Sequence, residues 1–242
     1  MHPIICKIGP VTIYSFGLML AAAVLVCSYL LGKEAALKGI AKDLIHDFVF
    51  LIVFSGLVGA RIFYILLNLD FFKQNPKEIM MIQNGGLAWQ GGLLAAALTG
   101  IVFIRRKGLP ILKFADLAAP YIALGQAIGR VGCFLNGCCY GKPVWWGVYF
   151  PVYGERLHPT QLYDSFGLLI IFLILRKIER SIHVPGKVFS FYLMLASFQR
   201  FIIEFWRADH QFSFFGLSEF QVGSIVIFSI GMILFSRLSL IK

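Results

Sequence analysis

Three arginines of the sequence fall inside or at the ends of long apolar runs, where a charged side chain is costly. Arg130 ends the segment LGQAIGR, Arg200 lies in SFQRFIIEFWRADH, and Arg61 lies in GLVGARIFYILLN. A guanidinium at the end of an apolar run can snorkel to the lipid headgroups, or it can grip a phosphate through two parallel hydrogen bonds. The second interpretation predicts an anion site near a membrane surface.

A glutamate and a further arginine accompany Arg200. Glu204 follows it by four residues, so the two side chains share one helix face. The pair is either a structural tie or a carboxylate that holds Arg200 in place for an anionic ligand. Arg207, three residues beyond Glu204, adds a second positive group. Arg61 is either a functional group or a tie to Glu204 or to backbone carbonyls.

The segment GRVGCFLNGCCYGKP, residues 129–143, holds three of the five cysteines, Cys133, Cys138 and Cys139. Their spacing lacks the second cysteine pair typical of zinc sites, and adjacent cysteines rarely ligate one metal ion comfortably. A zinc or iron–sulfur site is therefore disfavoured, and a disulfide is an alternative in an oxidising compartment. The favoured interpretation is that they are small fillers, and neither a metal nor a cofactor is predicted.

The segment NGGLAWQGGLL, residues 84–94, places four glycines around Trp89 and Gln90. A re-entrant turn is one interpretation of this pattern. Close packing between membrane helices through small residues is the favoured one.

The segment LHPTQLYDS, residues 157–165, has the composition of a helix start. Pro159 suits the first helical turn, and Thr160 and Gln161 supply polar groups there. His158 can titrate near neutral pH, although a solvated loop histidine is the plainer interpretation.

The elements that position these residues are predicted to be membrane helices. Of the 242 residues, 59% are hydrophobic and only 14% charged, and the mean hydropathy is +0.80. A soluble domain carries about 25% charged residues. We therefore expect an all-α integral membrane protein with a single domain over residues 1–242. Apolar runs of suitable length predict seven transmembrane helices, near 11–32, 46–68, 87–104, 110–131, 161–176, 187–205 and 218–236.

The basic residues predict the orientation of these helices. More than half of the 22 Lys and Arg residues lie in one set of connections and at the C-terminus, where Lys242 is the last residue. The positive-inside rule then places the N-terminus outside and the C-terminus in the cytoplasm. The net charge of +10 suits a bilayer with anionic lipids, and no nucleic-acid partner is expected. The polar loops, the longest near 132–160, would lie outside and carry the site.

Six stretches, in one order and register, resemble the bacterial phosphatidylglycerol–prolipoprotein diacylglyceryl transferases over almost the whole chain. GRVGCFLNGCCYG resembles their signature loop, which reads G-R-x-G-N-F-x-N-G-E-x-x-G. HPTQLYD resembles their H-P-[ST]-Q-L-Y-E, with Asp164 in place of the glutamate. The other four are YSFGLM (14–19), GARIFYILLN (59–68), NGGLAWQGGLL (84–94) and RFIIEFWR (200–207).

The resemblance implies a seven-span enzyme of the bacterial inner (plasma) membrane, with no cofactor and with its active site toward the outer leaflet. Such an enzyme transfers the sn-1,2-diacylglyceryl group of phosphatidylglycerol to the lipobox cysteine of a prolipoprotein signal peptide, and glycerol phosphate is released. The expected catalytic residues are Arg130, Arg200, Glu204 and His158. The expected substrate-binding residues are Arg130, Asn136, Gly141, Arg61, Gln90, Gln161, Tyr163 and Arg207.

The sequence departs from the family pattern at several polar positions. Gln90 occupies the position of a histidine proposed to help deprotonate the thiol, and an amide cannot act as that base. Phe16 replaces a tyrosine, and Cys133 and Cys138 replace an asparagine and a glutamate. The thiol proton must then pass to the leaving phosphate, to water or to His158. A paralogue with another acceptor and a seven-helix transporter are the alternative functions.

Overall fold

The computed structural model describes residues 1–8, 11–81, 85–182, 184–208, 212–214 and 216–240. Most of these residues are helical, and they form two compact units, one of residues 32–114 and one of residues 1–31 with 115–242. The helices of the described residues are α1 Ser15–Leu37, α2 Lys42–Leu67, α3 Leu69–Gln74, α4 Trp89–Arg106, α5 Ile111–Asn136, α6 Thr160–Ser181, α7 Lys187–Ile203 and α8 Glu219–Leu240. The described residues also form 3-10 turns at Pro76–Met80 and Glu204–Trp206.

Among the described residues, three antiparallel strand pairs lie before α1 or between later helices. They pair β1 Ile4–Ile8 with β2 Val11–Tyr14, β3 Pro143–Phe150 with β4 Glu155–Leu157, and β5 Phe212–Phe214 with β6 Leu217–Ser218. The sequence pattern predicted helices alone, so these strands were not predicted. Strands this short produce no apolar run of helical length, so hydropathy gives no signal for them.

Five described segments are long and apolar enough to cross a membrane, namely α1, α2, α5, Lys187–Trp206 and α8. The all-α membrane class is therefore supported. The two other predicted spans, 87–104 and 161–176, fall largely on α4 and α6. The count of seven spans and the orientation stay predictions, and Lys242 lies outside the described residues.

Helix α5 runs further than the predicted span 110–131. Its glycines at 129 and 132 do not end it, and it stops only before Gly137, whose φ is +79°. The N–H groups of Gly137 and Cys138 donate to carbonyls of the last helical turn, which is a glycine C-cap. Arg130 therefore lies about two turns before the helix end rather than at it.

In the unit of residues 32–114, α2 and α4 pack through small residues. A Cβ added to Gly59 would lie 2.7 Å from the Gly91 carbonyl oxygen and closer still to the Ala95 Cβ. This close approach is the small-residue packing predicted for NGGLAWQGGLL. Asn84, the first residue of that motif, lies outside the described residues.

Arg61 of α2 anchors the segment that precedes α4. Its guanidinium is buried, with 7% of the residue exposed, and lies near the rings of Tyr64 and Phe72. It donates to five carbonyl oxygens, those of Glu78, Ile79, Met81, Gly85 and Gly86. Of the interpretations left open by the sequence, these contacts match the tie to backbone carbonyls.

In the other unit, α5, α6 and α7 enclose a buried core of Ala119, Ala123, Ile171, Leu175, Val188 and Tyr192. Asp116 of α5 accepts hydrogen bonds from the backbone N–H groups of Gly186, at 2.6 Å, and Phe189, at 2.7 Å. It thereby caps the N-terminus of α7. Ser165 of α6 donates to the Ala127 carbonyl of α5 at 2.8 Å. These contacts fix the three helices that carry the candidate site.

Changing Gly59 to alanine tests the packing of α2 on α4. Because the new methyl group has no room against Gly91 and Ala95, we expect a loss of about 1–3 kcal/mol in the free energy of unfolding. Thermal unfolding of the purified protein in detergent measures the change.

The matched control is Gly223→Ala in α8, where an added Cβ meets no described atom within 4 Å. This variant should unfold at or above the wild-type temperature, since alanine is the better helix former. Equal behaviour of the two variants would contradict the packing argument.

Candidate active site

A buried carboxylate organises a cationic cluster in the unit of residues 1–31 and 115–242. Glu204, 1% exposed, follows α7 directly and opens the turn Glu204–Trp206. Its Oε2 lies 2.7 Å from Arg200 Nη2 and 3.8 Å from Arg207 Nε. Its Oε1 accepts a hydrogen bond from the Ser218 hydroxyl at 2.9 Å. Two guanidinium groups thus compensate one buried negative charge.

The start of α8 completes this cluster. The Ser218 N–H donates to Gln221 Oε1 at 3.0 Å and the Gln221 N–H donates to Ser218 Oγ at 3.2 Å, which is a capping box. The ring of Phe220 faces both guanidinium groups, with its centroid 4.7 Å from Arg200 Cζ and 5.8 Å from Arg207 Cζ. The helix start therefore helps to fix the orientation of both arginines.

A second ion pair joins α5 to α6. Arg130 Nε lies 2.7 Å from Asp164 Oδ2, and the two side chains are 25% and 6% exposed. Gln199 of α7 donates from Nε2 to Asp164 Oδ1 at 2.8 Å. In the sequence, Asp164 was only a mild departure from a motif, and its pairing with Arg130 was not predicted. The sequence signal that could have indicated this pairing is the position of Asp164 one helical turn after Gln161, within a stretch of polar residues.

Gly141 is required by a close approach of backbone segments. Its N–H donates to the His158 carbonyl at 2.9 Å, and it forms a β-bridge with Arg207. A Cβ there would lie 2.5 Å from the His158 Cβ and 2.6 Å from the Trp206 carbonyl oxygen. A side chain at this position would separate the signature loop from the end of α7.

The first turn of α6 holds the cysteine backbone of the same loop. Thr160 donates from its hydroxyl to the Cys139 carbonyl at 2.8 Å. Gln161 donates from Nε2 to the Cys138 carbonyl at 2.6 Å. The two polar groups predicted at this helix start are thus placed against the signature loop.

His158 precedes this turn and contacts aromatic side chains. Its Nδ1 lies 3.3 Å from the Tyr163 hydroxyl, and its ring meets Trp146 edge-on with centroids 4.9 Å apart. Burial lowers the pKa of His158 below its usual 6.5, because a buried imidazolium loses hydration. The neutral imidazole therefore predominates at pH 7 and can accept a proton.

A narrow recess in this region is lined by Arg130, Cys139, Thr160, Gln161, Asp164, Ile203 and Arg207. Arg200 is not one of these lining residues and is linked to Arg207 through Glu204. Among the described residues, Arg200 Nη1 and Gln161 Oε1 are buried polar atoms without a hydrogen-bond partner. Buried donors and acceptors are normally paired, so both atoms are suited to bind a ligand. Three arginines against two carboxylates leave one net positive charge, which favours an anion.

The three cysteines converge beside this recess. Their Sγ atoms all lie within 4.8 Å of one another, and each residue is partly buried. The cysteines are unbridged thiols. The sequence interpretation, which judged adjacent cysteines poor partners for one ligand, missed this convergence.

Three remaining predicted residues lie elsewhere in the two units. Asn136 is the last residue of α5 and partly buried, directly before Gly137. Arg61 and Gln90 belong to the unit of residues 32–114, where Gln90 is the exposed second residue of α4. Substrate contacts by these three residues stay predictions.

A family model described as prolipoprotein diacylglyceryl transferase matches residues 3–237. The chain belongs to this family. It is 35% identical over 250 residues to a protein of Bacillus cereus. That alignment covers 97% of this chain and 89% of the Bacillus cereus protein. It is 36% identical over 244 residues to one of Streptococcus pyogenes, covering 96% and 93% respectively.

A Clostridium tetani protein is 32% identical over 247 residues and covers 98% of this chain and 97% of its own length. All three carry the name phosphatidylglycerol–prolipoprotein diacylglyceryl transferase. The family resemblance predicted from six motifs is confirmed. In this transferase family member, three of those motifs meet around Arg130, Gly141 and Glu204.

Replacing Asp164 by asparagine tests the ion pair with Arg130. The amide keeps the shape of the side chain but leaves the guanidinium without its counter-charge. We expect a loss of about 1–3 kcal/mol in the free energy of unfolding, because the carboxylate is buried and Arg130 is partly exposed. Thermal unfolding in detergent provides the measurement.

Asp70→Asn is the control, since it removes a carboxylate from the exposed pair with Lys73, where the side chains are 95% and 71% exposed. Its effect should stay below about 0.5 kcal/mol. If Asp164→Asn behaved like Asp70→Asn, other contacts would have to orient Arg130.

Proposed function

We propose that this chain transfers the sn-1,2-diacylglyceryl group of phosphatidylglycerol to the lipobox cysteine thiol of a prolipoprotein. A thioether forms, and glycerol phosphate leaves. The observation that carries the proposal is the net-positive cluster of Arg130, Arg200 and Arg207 with the unpartnered Arg200 Nη1, in a chain of the transferase family. A buried guanidinium with a spare donor is suited to a phosphate oxygen.

The reaction places new charge where these arginines lie. The thiolate sulfur bonds to the glyceryl carbon, the carbon–oxygen bond to the phosphate breaks, and its electron pair stays on the departing phosphate. We assign the stabilisation of this charge to Arg130 and Arg200, by preorganised donors. Glu204 positions Arg200 and Arg207 through its shared Oε2.

The remaining polar groups of the recess suit the lipid headgroup. Gln161 Oε1, buried without a partner among the described residues, can accept a hydrogen bond from a glycerol hydroxyl. Asn136 and Gly141 shape the loop that faces the headgroup, and Tyr163 contributes a hydroxyl. Arg61 and Gln90 are assigned to the substrate only through the motifs that contain them.

The membrane arrangement is also a proposal. Seven helices span the bacterial inner membrane as one domain, with the N-terminus outside, the C-terminus in the cytoplasm and the recess toward the outer leaflet. The distribution of basic residues supports this orientation. Trp145 and Trp146 of β3 are 86% and 52% exposed, as expected of aromatic side chains in the interfacial layer.

Removing either phosphate-binding arginine tests the proposed function. Arg130→Ala and Arg200→Ala should each lower the transfer rate by about 10²–10³, the usual cost of one transition-state donor. The assay supplies phosphatidylglycerol and a lipobox peptide to the reconstituted protein and detects the diacylglyceryl adduct on cysteine by mass spectrometry.

Arg156→Ala is the matched control, because the side chain of this exposed arginine of β4 has one described hydrogen bond, to the Gly147 carbonyl. It should transfer at the wild-type rate. Full activity in Arg130→Ala or in Arg200→Ala would show that the replaced arginine does not stabilise the departing phosphate. Lipid binding without any adduct in the wild-type protein would instead favour a paralogue with another acceptor.

We also propose that His158 accepts the proton of the acceptor thiol, and this role predicts a pH dependence of the transfer rate. Because its pKa lies below 6.5, the transfer rate should be independent of this group at pH 7 and fall as the pH drops through that pKa and imidazolium forms. His158→Gln should lower the rate at pH 7 and abolish this acid limb. Initial rates between about pH 5 and 8 measure the profile.

His46→Gln is the control and should keep the acid limb, since no function is proposed for His46. An unchanged profile in His158→Gln would exclude His158 as the acceptor.

A further inference from the structure

The convergence of Cys133, Cys138 and Cys139 follows from the way α5 ends. The Cys138 N–H donates to the Cys133 carbonyl at 3.2 Å, and the Gly137 N–H donates to the Phe134 carbonyl at 3.2 Å. This is a Schellman motif, which brings the residues five apart on either side of the helix end into contact. Two cysteines spaced C-x4-C across a helix that ends at Asn-Gly are therefore brought close together in space.

Cys139 joins the pair through an unusual backbone conformation. Its φ is +62°, which a residue with a Cβ rarely adopts. Its carbonyl and that of Cys138 are held by Thr160 and Gln161 of α6. The third thiol is thus fixed by its own backbone and by a neighbouring helix.

The three sulfur atoms fit a tetrahedral thiolate site. Zinc–sulfur bonds of about 2.3 Å require sulfur–sulfur distances of about 3.8 Å, so sulfurs within 4.8 Å need to move by only about 0.6 Å or less. Three thiolates on a divalent cation carry one net negative charge. Arg130 and Arg207 line the recess together with Cys139, so this negative charge would lie beside the cationic cluster.

We propose that Cys133, Cys138 and Cys139 ligate a zinc-class divalent cation whose fourth position receives the acceptor thiol. Three protein ligands and one open position are the arrangement of catalytic zinc, and a thiol that binds zinc loses its proton. Because zinc has no redox chemistry, it suits an outer-face site. The inference rests on the proposed function. It assigns the activation of the acceptor thiol in that reaction to a cation held by this chain's own cysteines.

The steps balance without a further reagent. The acceptor thiol binds the cation as a thiolate, and its proton passes to His158, the proton acceptor proposed above, or to water. The thiolate electron pair forms the carbon–sulfur bond as the carbon–oxygen bond breaks. The product thioether is neutral and a poorer ligand than a thiolate, so it leaves the cation. Glycerol phosphate departs from the arginines.

Cobalt(II) binding to the full chain tests the site directly. The reduced, chelator-treated protein in lipid nanodiscs should bind one cobalt ion with a thiolate-to-cobalt absorption band. A lipobox peptide should change the cobalt spectrum, whereas the same peptide with serine for cysteine should not. Zinc should displace the cobalt and restore transfer lost on chelation.

Variants identify the ligands. Cys133→Ser, Cys138→Ser and Cys139→Ser should each weaken cobalt binding by more than about tenfold, while Cys6→Ser and Cys27→Ser, outside the cluster, should not. The wild-type titration stands even where a variant fails to fold. No cobalt or zinc binding by the wild type, or a disulfide within the cluster that is needed for activity, would overturn the proposal.

Different results would contradict the proposed zinc site and the proposed transfer reaction. If the metal-free enzyme formed the adduct at the full rate, the zinc inference would be wrong and the proposed function would stand. If the zinc-loaded enzyme bound the peptide thiol but produced no adduct, the proposed function would be wrong and the metal site would stand.

Discussion

The unit that carries the candidate site depends on one electrostatic constraint, a carboxylate buried to 1% exposure. Such a charge is tolerated only when charged or hydrogen-bonding partners surround it. Glu204 meets this requirement with Arg200, Arg207 and Ser218, which come from α7, from the turn after it and from the start of α8. One side chain thereby sets the position where α7 ends and α8 begins.

The recess is built from element ends rather than from helix middles. The signature loop after α5, the first turn of α6 and the turn after α7 meet at Gly141, where backbone hydrogen bonds take the place of side chains. Helix ends leave carbonyl and N–H groups without helical partners, which makes them ready anchors for such loops. The core between α5, α6 and α7 keeps these ends in register.

The sequence predicted the helical framework better than the site. Each predicted span overlaps a helix because hydrophobic runs are local signals, although the first four residues of 11–32 form strand β2 instead. Glu204 pairs with Arg200 because helical spacing is regular. The pairing of Arg130 with Asp164 joins residues 34 positions apart, which no local pattern reports. The convergence of Cys133 with Cys138 depended on where α5 ends, and hydropathy alone placed that end too early.

The carbonyl tie at Arg61 has a consequence for the order in which the protein is made. All five of its partners lie 17 to 25 residues further along the chain. At about 5–20 residues per second, the ribosome supplies them roughly 1–5 s after Arg61 itself. A guanidinium entering an apolar environment is thus uncompensated only briefly, and the next segment to emerge supplies its partners. Insertion of α2 need not wait for the distant half of the chain.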